Sequence, residues 1–193
     1  MKKLLITSGF LLLTPFANAQ PPSYDFVQIG VQSSEYADLS DFDLFGYEFR
    51  ASKTLSNRFF IEGSYAFSDD DYNDFTMDNN IWKVSIGYIQ KLSSSTVIDY
   101  QLGYGNVEIK LKNDVESFGS DADYVSLESN IRHKFTHDLE GYAGLEFQNW
   151  NAGSDQKAYH LGLSYDWMVV NLGVEYTKFS DSEIFRLFMR YEF

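Results

Sequence analysis

Ile184-Phe-Arg-Leu-Phe-Met-Arg-Tyr-Glu-Phe193 closes the sequence, and every second residue from Phe185 onward is apolar. Arg186, Arg190 and Glu192 lie between these apolar residues. Successive side chains of a β-strand point to opposite faces, so the pattern predicts a strand with one apolar and one charged face. Aromatic residues at the very end of a strand are typical of a barrel strand that leaves a bilayer at the headgroup level. The stretch therefore indicates a transmembrane β-barrel.

The N-terminus carries the pattern of an export signal. Two lysines precede an apolar run at residues 4–16, and Ala-Asn-Ala at residues 17–19 is a small-x-small cleavage site. The apolar run is too short to span a membrane as a helix. The sequence therefore predicts a cleaved signal peptide at residues 1–19 and a single barrel domain at residues 20–193.

The composition agrees with export and limits the partners. The 193 residues include no cysteine, so stability must come from packing or from a closed hydrogen-bond network, which a barrel has. Without the two lysines of the predicted signal, 13 basic side chains face 28 acidic ones, a formal charge of −15. The sequence has no basic stripe that could neutralise phosphates, which argues against a nucleic-acid partner.

Ten alternating segments follow the predicted signal, separated by polar stretches that are alternately long and short. Three long acidic stretches lie at residues 33–43, 69–79 and 106–121. The third begins with Val107 and Ile109, which would allow a strand to continue there past a bulge. The pattern predicts an all-β, closed, antiparallel up-and-down transmembrane barrel of ten strands, with both termini in the periplasm. An eight-stranded barrel is the alternative, if two of the segments are loops.

A soluble β-sandwich is the competing fold, because it also has short alternating strands joined by turns. Two features count against it: charged residues recur on the polar faces, and aromatic residues cluster at the segment ends. Two aromatic girdles are what the two membrane interfaces select. The predicted girdle residues are Phe45, Phe67, Trp82, Tyr104, Phe147 and Tyr159 at the end with the long loops, and Tyr88, Tyr165 and Trp167 at the other end.

Several segments resemble a known family. Residues 24–30 (YDFVQIG), 57–65 (NRFFIEGSY), 81–88 (IWKVSIGY) and 190–193 (RYEF) are similar to the small porin-like outer-membrane β-barrel family, which includes the diffusible-signal-factor-regulated surface proteins of plant pathogens. The likeness covers most of the chain after the predicted signal. It implies a location in the outer membrane of a Gram-negative bacterium, and it implies no catalytic residue.

The resemblance also assigns a role to the end of the last strand. Tyr191 and Phe193 match the terminal aromatic signal that the barrel-assembly machinery recognises, so this machinery is an expected partner during biogenesis. Phe188 stands where that signal often has glycine, and Ser64 stands where the family often has the second glycine of Gly-Gly-Tyr. Neither departure changes the expected fold.

Charged side chains on the inward faces bear on whether the barrel conducts. A ten-stranded barrel lies between small barrels that side chains fill and wide barrels that hold a water channel. The predicted lumen network consists of Glu48, Arg50, Glu62, Lys83, Asp99, Glu128, Arg132, Glu140, Glu146, His160, Glu175, Arg186 and Arg190. Counting across the turns also predicts three cross-strand ion pairs on this face. They join Arg50 to Glu62, Arg132 to Glu140, and Glu175 to Arg186.

Two functions are compatible with this interior. If the charges pair, they form an ionic plug, and the protein serves envelope structure or surface interaction through its acidic extracellular loops. If inward glycines such as Gly87, Gly162 and Gly173 leave room for water, the barrel is a narrow, porin-like passive channel for small solutes or ions. Buried charges must be paired and long side chains fill a narrow lumen, which favours the plug.

His160 is the inward residue that could serve as a catalytic base or a metal ligand. An outer-membrane hydrolase needs a histidine with a nucleophile in reach, and the sequence places no serine or carboxylate beside His160 at dyad spacing. A hydrolase is therefore the most distant alternative. The sequence predicts no enzymatic activity, no cofactor and no metal site.

The acidic stretches bear on partners at the cell surface. Outer-membrane lipids and lipopolysaccharide are the expected environment of the predicted barrel, which we expect to be a monomer. Asp69, Asp70 and Asp71 carry the type of oxygen ligand that suits calcium or magnesium, and such ions would bridge the loops to lipopolysaccharide phosphates. The stretch has no fixed ligand spacing, so a solvated acidic loop is the simpler interpretation.

Overall fold

The computed structural model describes residues 21–37, 42–113 and 116–193, so the predicted signal peptide lies outside the described residues. Ten antiparallel strands form one closed barrel, which confirms the predicted fold class and excludes the eight-stranded and sandwich alternatives. The strands are β1 (Phe26–Tyr36), β2 (Asp43–Ser56), β3 (Phe59–Tyr72), β4 (Phe75–Lys91), β5 (Thr96–Lys112), β6 (Ser117–Lys134), β7 (Leu139–Trp150), β8 (Gln156–Trp167), β9 (Val170–Lys178) and β10 (Ser182–Glu192). Within the described part of the chain, no helix is long and apolar enough to cross a membrane.

Each strand pairs with its neighbours in the sequence, and the last strand closes the barrel against the first. The ladder between β1 and β10 runs from Phe26 opposite Glu192 to Tyr36 opposite Ser182. Both ends of the described barrel lie together, because the N–H of Phe193 donates to a carbonyl just before β1 at 3.1 Å. We call this the terminal end of the barrel and the opposite end the loop end.

The barrel is apolar outside and polar inside along its middle. Leu102, Leu127 and Leu145 point outward and are 56 to 69% exposed, whereas inward neighbours such as Gln101 and Ser126 are buried. A soluble protein buries such leucines, but an outward apolar band is the surface that contacts lipid in membrane barrels. The predicted girdle residues all lie on this outer surface, eight of them exposed and Tyr88 half-buried.

The acidic stretch at residues 69–79 is a β-hairpin, so its assignment to a long loop was wrong. β3 and β4 pair as far as Tyr72 and Phe75, which leaves a two-residue turn between them. Asn73 in this turn has φ 54, a left-handed conformation that asparagine tolerates better than most residues. The acidic side chains of this stretch therefore stand on strands, except that of Asp74 in the turn.

The stretch at residues 106–121 is also mostly strand, and its polarity explains the error. β5 and β6 pair to their ends without a shift in register, so the strand continues past Val107 with no bulge. Val107 and Ile109 point inward here, while Glu108 and Lys110 point outward and form an ion pair at 2.7 Å. The prediction placed a long polar stretch here, with a strand allowed to continue only past a bulge, because the outward face stops being apolar at this level. The backbone ladder does not depend on polarity, and it continues in the same register.

These extensions make the barrel uneven in height. β4, β5 and β6 contain 17, 17 and 18 residues, whereas β8, β9 and β10 contain 12, 9 and 11. At about 3.3 Å per residue, the longer strands extend well beyond an apolar band about 25 Å tall. We call β4–β6 the tall wall. The connections at the loop end are short, so this wall forms much of the surface there.

Candidate functional site

The barrel interior is the candidate site, and the structure places all thirteen predicted lumen side chains inside it. This placement follows from the alternation of side chains along each strand. The buried members are Glu48, Asp99, Arg132, Glu140, Glu146, His160, Glu175, Arg186 and Arg190, and the half-buried members are Arg50, Glu62, Lys83 and Glu128. All thirteen side chains lie in the interior, where they fall into separate clusters.

The first group, which we call the arginine cluster, joins β9, β10, β2 and β3. Arg186 contacts Glu175 directly opposite on β9, and its Nε lies 3.2 Å from Oε2 of Glu48 on β2. Arg50 contacts Glu48 at 3.0 Å, Glu175 at 3.5 Å and Glu62 at 3.9 Å. Two of the three predicted ion pairs, Arg50–Glu62 and Glu175–Arg186, lie here. The contacts of Arg186 with Glu48 and of Arg50 with Glu175 connect non-adjacent strands, so they cross part of the lumen.

The second group, which we call the lysine cluster, consists of Lys83, Glu128, Glu146 and His160. The Nζ of Lys83 on β4 lies 2.7 Å from Oε2 of Glu128 on β6 and 2.9 Å from Oε1 of Glu146 on β7. Nε2 of His160 on β8 lies 3.4 Å from Oε2 of Glu146. The lysine spans the width of β5 to reach these carboxylates, so this cluster also crosses the interior.

The neighbours of His160 differ from the expectation that no carboxylate would stand beside it. Besides Glu146, the ring contacts Thr177, whose Oγ1 lies 3.1 Å from Nδ1 of the histidine. Sequence spacing missed both groups because they come from neighbouring strands. The hydroxyl of Thr177, the imidazole and the carboxylate of Glu146 thus lie next to one another in that order. The carboxylate already forms an ion pair with Lys83 and accepts a hydrogen bond from Gln148.

A third pair of charges lies at the terminal end, next to a residue that the sequence prediction missed. Arg132 and Glu140 form the third predicted ion pair, at 2.6 Å. Tyr24, just before β1, turns into the barrel and is 6% exposed. Its hydroxyl donates to Oδ2 of Asp99 at 2.8 Å, and the guanidinium of Arg132 lies 4.7 Å from its ring centre.

Tyr24 also completes an apolar layer across the terminal end. Its ring lies 4.4 Å from that of Phe60, and Ile89 and Val97 complete the layer with exposures of 7% or less. We call these four residues the Tyr24 plug. The signal in the sequence is that Phe60, Ile89 and Val97 are apolar residues on the inward face, each close to a short turn. An inward apolar residue at a barrel end indicates closure by side chains.

Inward glycines make room for aromatic rings, which corrects the expectation that they leave space for water. A Cβ atom at Gly87 would lie 2.1 Å from the ring of Phe60, and one at Gly173 would lie 2.2 Å from the ring of Phe188. Both glycines therefore allow a neighbouring strand to place a phenyl ring inside the barrel. The rings narrow the lumen at these levels.

Arg190 differs from the other lumen cations of the described chain because no carboxylate lies within ion-pair distance of it. Its Nε donates to Oε1 of Gln28 at 3.0 Å. Its guanidinium stacks on the ring of Phe26 at 4.2 Å and on that of Phe188 at 5.1 Å. Aromatic faces stabilise a cation in such a setting, so this arginine helps to pack the closing strand pair.

A cavity of about 490 Å³ remains inside the barrel. It reaches from Ser120 and Gly153 at the loop end to Tyr24 at the terminal end. Val107 and Ile109 line its upper part, where the inner face of the tall wall is apolar. The cavity therefore has a mouth that is apolar along the tall wall, a charged middle and a floor at the Tyr24 plug.

The closed ten-stranded barrel with an apolar exterior is the architecture of transmembrane β-barrels. No protein-family model matches the sequence, and no curated protein matches it. Neisserial surface protein A (NspA) is similar in structure with a TM-score of 0.50 at 10% identity, over 89% of this chain and 98% of that protein. The likeness to NspA concerns the fold alone.

Two further solved structures are similar over most of the chain. The KdgM porin gives a TM-score of 0.48 at 16% identity, over 86% of this chain and 99% of that chain. Ail, the attachment invasion locus protein of Yersinia pestis, gives 0.45 at 12% identity, over 87% of this chain and 97% of that one.

Proposed function

We propose that the protein is a non-catalytic integral barrel of a Gram-negative outer membrane, with its loop end outside the cell and its terminal end in the periplasm. The outward apolar band and the closed backbone ladder support this location, because every backbone polar group in lipid must be satisfied within the structure. An even strand number with both ends together is the usual arrangement of bacterial outer-membrane barrels.

We further propose that the lumen is a pocket open to the outside and closed toward the periplasm. The observation that carries this proposal is the combination of cross-lumen ion pairs with the Tyr24 plug below them. A continuous passage would require separating buried pairs such as Lys83–Glu146. An unpaired buried charge costs several kcal/mol, so the closed interior is strongly favoured.

The role that fits a closed barrel is a structural or surface one, carried by the tall wall and its connections. Its outward face beyond the apolar band bears Asp78, Glu108, Asp121 and Asp123, so the acidic surface is strand as well as loop. Lys112 contacts Asp78 across β4 and β5, which shows that some of these acids are paired within the protein. Glu108 is paired with Lys110, and Asp123 accepts from Asn106 and Asn151. Asp121 and other exposed acids of the loop end would bind divalent cations that bridge to lipopolysaccharide.

A hydrolase is a poor fit to the surroundings of His160. Thr177 is 4% exposed, so its hydroxyl has little access to a substrate. The strands around it use their backbone N–H groups in the ladder, which leaves none there to stabilise an oxyanion. We therefore expect His160→Ala to fold and the wild type and the variant alike to show no hydrolysis of lipids or peptides. A hydrolytic activity of the wild type that is lost in this variant would support an enzyme.

Planar-bilayer conductance of the refolded protein tests the closed lumen. We expect no stable unitary steps from the wild type. Leu102→Ala, on the lipid-facing surface, is the control for general disturbance and should behave like the wild type. Stable unitary steps that change in size in Lys83→Met or Arg132→Met would instead support the second candidate, a narrow passive channel through the 490 Å³ cavity.

A further inference from the structure

Three side chains of the lysine cluster bring potential metal ligands together. Glu128, Glu146 and His160 each offer one ligand atom, and these three atoms lie within 4.8 Å of one another. Glu128 and Glu146 stand directly opposite each other on β6 and β7. Like charges in that position are destabilising unless a cation lies between them. The barrel therefore places two carboxylates that require a neutralising cation beside an imidazole.

The Nε2 nitrogen of this imidazole faces the pair. Nε2 of His160 has no hydrogen-bond partner, although the residue is only 8% exposed. Its nearest charged neighbour is Oε2 of Glu146, at 3.4 Å. The other ring nitrogen lies 3.1 Å from Oγ1 of Thr177, which holds the ring in place. A buried nitrogen that faces two carboxylates without a well-formed hydrogen bond is in position to serve as a metal ligand.

Each glutamate is also oriented by an outer partner. Asn130 donates from Nδ2 to Oε1 of Glu128 at 2.7 Å, and Gln148 donates from Nε2 to Oε1 of Glu146 at 3.1 Å. Together with Thr177, these groups give all three candidate ligands a second contact outside the site. Such outer contacts orient ligands in metal sites and contribute substantially to affinity.

Lys83 is the group with which a metal ion would compete. Its ammonium lies 2.7 Å from Glu128 and 2.9 Å from Glu146, so it neutralises the glutamates in the absence of a metal. It makes no hydrogen bond to Nε2 of His160, so this nitrogen is not occupied by the lysine. The flexible four-carbon stem of lysine allows the ammonium to move into the adjoining cavity.

We propose that Glu128, Glu146 and His160 bind one zinc-class divalent ion, with Lys83 as the competing cation. A tetrahedral ion with bonds of about 2.1 Å separates its ligand atoms by roughly 3.4 Å, so the His160–Glu146 spacing already fits. One imidazole and two carboxylates favour Zn²⁺ over Ca²⁺ or Mg²⁺, which prefer oxygen ligands. Water from the cavity supplies the fourth ligand, and the loop-end mouth is the access route.

Zinc titration of the refolded protein in detergent, against a chromophoric chelator, tests the site. The wild type should bind one equivalent. His160→Gln should weaken binding at least tenfold, and Lys83→Met should strengthen it at least tenfold because the competing charge is gone. His137→Gln is the matched control, since His137 is exposed beside Asp138 and could bind zinc without a built site. Heat-modifiable migration on gels checks that each variant is folded.

Three outcomes would overturn the proposal. One is a wild type without saturable binding at one equivalent. Another is binding that survives His160→Gln but disappears in His137→Gln, which would locate the zinc at the exposed histidine. The third is an unchanged affinity in folded Lys83→Met. If that variant does not fold, Glu128→Gln replaces it, and an affinity equal to that of the wild type then counts against the site.

Discussion

The Tyr24 plug makes a prediction about stability that can be worked out from its contacts. Replacing Tyr24 by alanine removes a ring that packs on Phe60 and under Arg132, and a hydroxyl that donates to the buried carboxylate of Asp99. Loss of a buried aromatic side chain costs about 3–5 kcal/mol. Water can enter at this end of the barrel and solvate Asp99, so we expect the lower limit, about 3 kcal/mol.

Two variants separate the contributions of the ring and the hydroxyl. Tyr24→Phe keeps the ring and removes one hydrogen bond to a charged acceptor, for which we expect a loss of about 1.5 kcal/mol. Tyr24→Ala should lose about twice that. Urea-induced unfolding of the refolded protein in detergent, followed by tryptophan fluorescence, measures both free energies. Tyr100→Ala, on the outer surface, shows whether loss of any tyrosine has the same effect.

Two results would refute this account of the terminal end. If Tyr24→Ala unfolds at the same urea concentration as the wild type, the segment before β1 does not close the barrel. If Tyr24→Phe and Tyr24→Ala lose the same free energy, the apolar layer with Phe60 contributes nothing. Conductance gives a separate check: the ionic clusters above remain in place, so Tyr24→Ala alone should stay closed.

Three further predictions concern the interior, the lipid face and the terminal end. Arg186→Met leaves two buried carboxylates without this partner and should lower the free energy of unfolding by about 3–5 kcal/mol in urea titrations, unless Glu175→Gln is added. Leu102→Arg places a charge on the lipid face and should cost about 2–4 kcal/mol in vesicles, and an unchanged stability would contradict the assigned membrane level. The pKa of Asp25 lies below its ordinary value of about 3.9, mainly because its carboxylate accepts a hydrogen bond from the backbone N–H of Thr54. This carboxylate therefore stabilises the barrel above the pKa of the unfolded chain, and the stabilisation is lost as the pH falls through the lower pKa of the folded chain. The difference in unfolding free energy between the wild type and Asp25→Asn should narrow below about pH 4, and a constant difference would show that Asp25 is not held this way.

The strand number, the closure and the inward residues could be predicted because polarity alternates along nearly every strand. Gln28 is buried and its neighbours Val27 and Ile29 are exposed, as their positions in the alternating pattern require. The same alternation, counted across turns, identified three ion pairs without knowledge of the fold. Local periodicity suffices here because each strand pairs with its neighbours in the sequence, apart from the closure of β10 against β1.

The contacts that decide whether the lumen is open could not be predicted in this way. Tyr24 lies before the first strand, and its partner Asp99 is 75 residues away. Periodicity shows which way a side chain points, but not which side chain meets it across the barrel. For the same reason, the contacts of His160 with Glu146 and Thr177 could not be predicted. Those contacts depend on strand stagger and side-chain length, which the pattern does not contain.

The loop end shows how the membrane level can be inferred once the strands are known. On β4 and β5 the outward face changes from Trp82 and Tyr104 to Asn80, Asn106 and more distant charged residues, while the ladder continues unbroken. An outward polar face is unfavourable in lipid and favourable in water, so this change of polarity marks the membrane surface. The end of the strand does not mark it. Beyond that level the inner face is apolar, and the tall wall presents an apolar concave surface at the mouth of the cavity, where a ligand or a loop would first meet the protein.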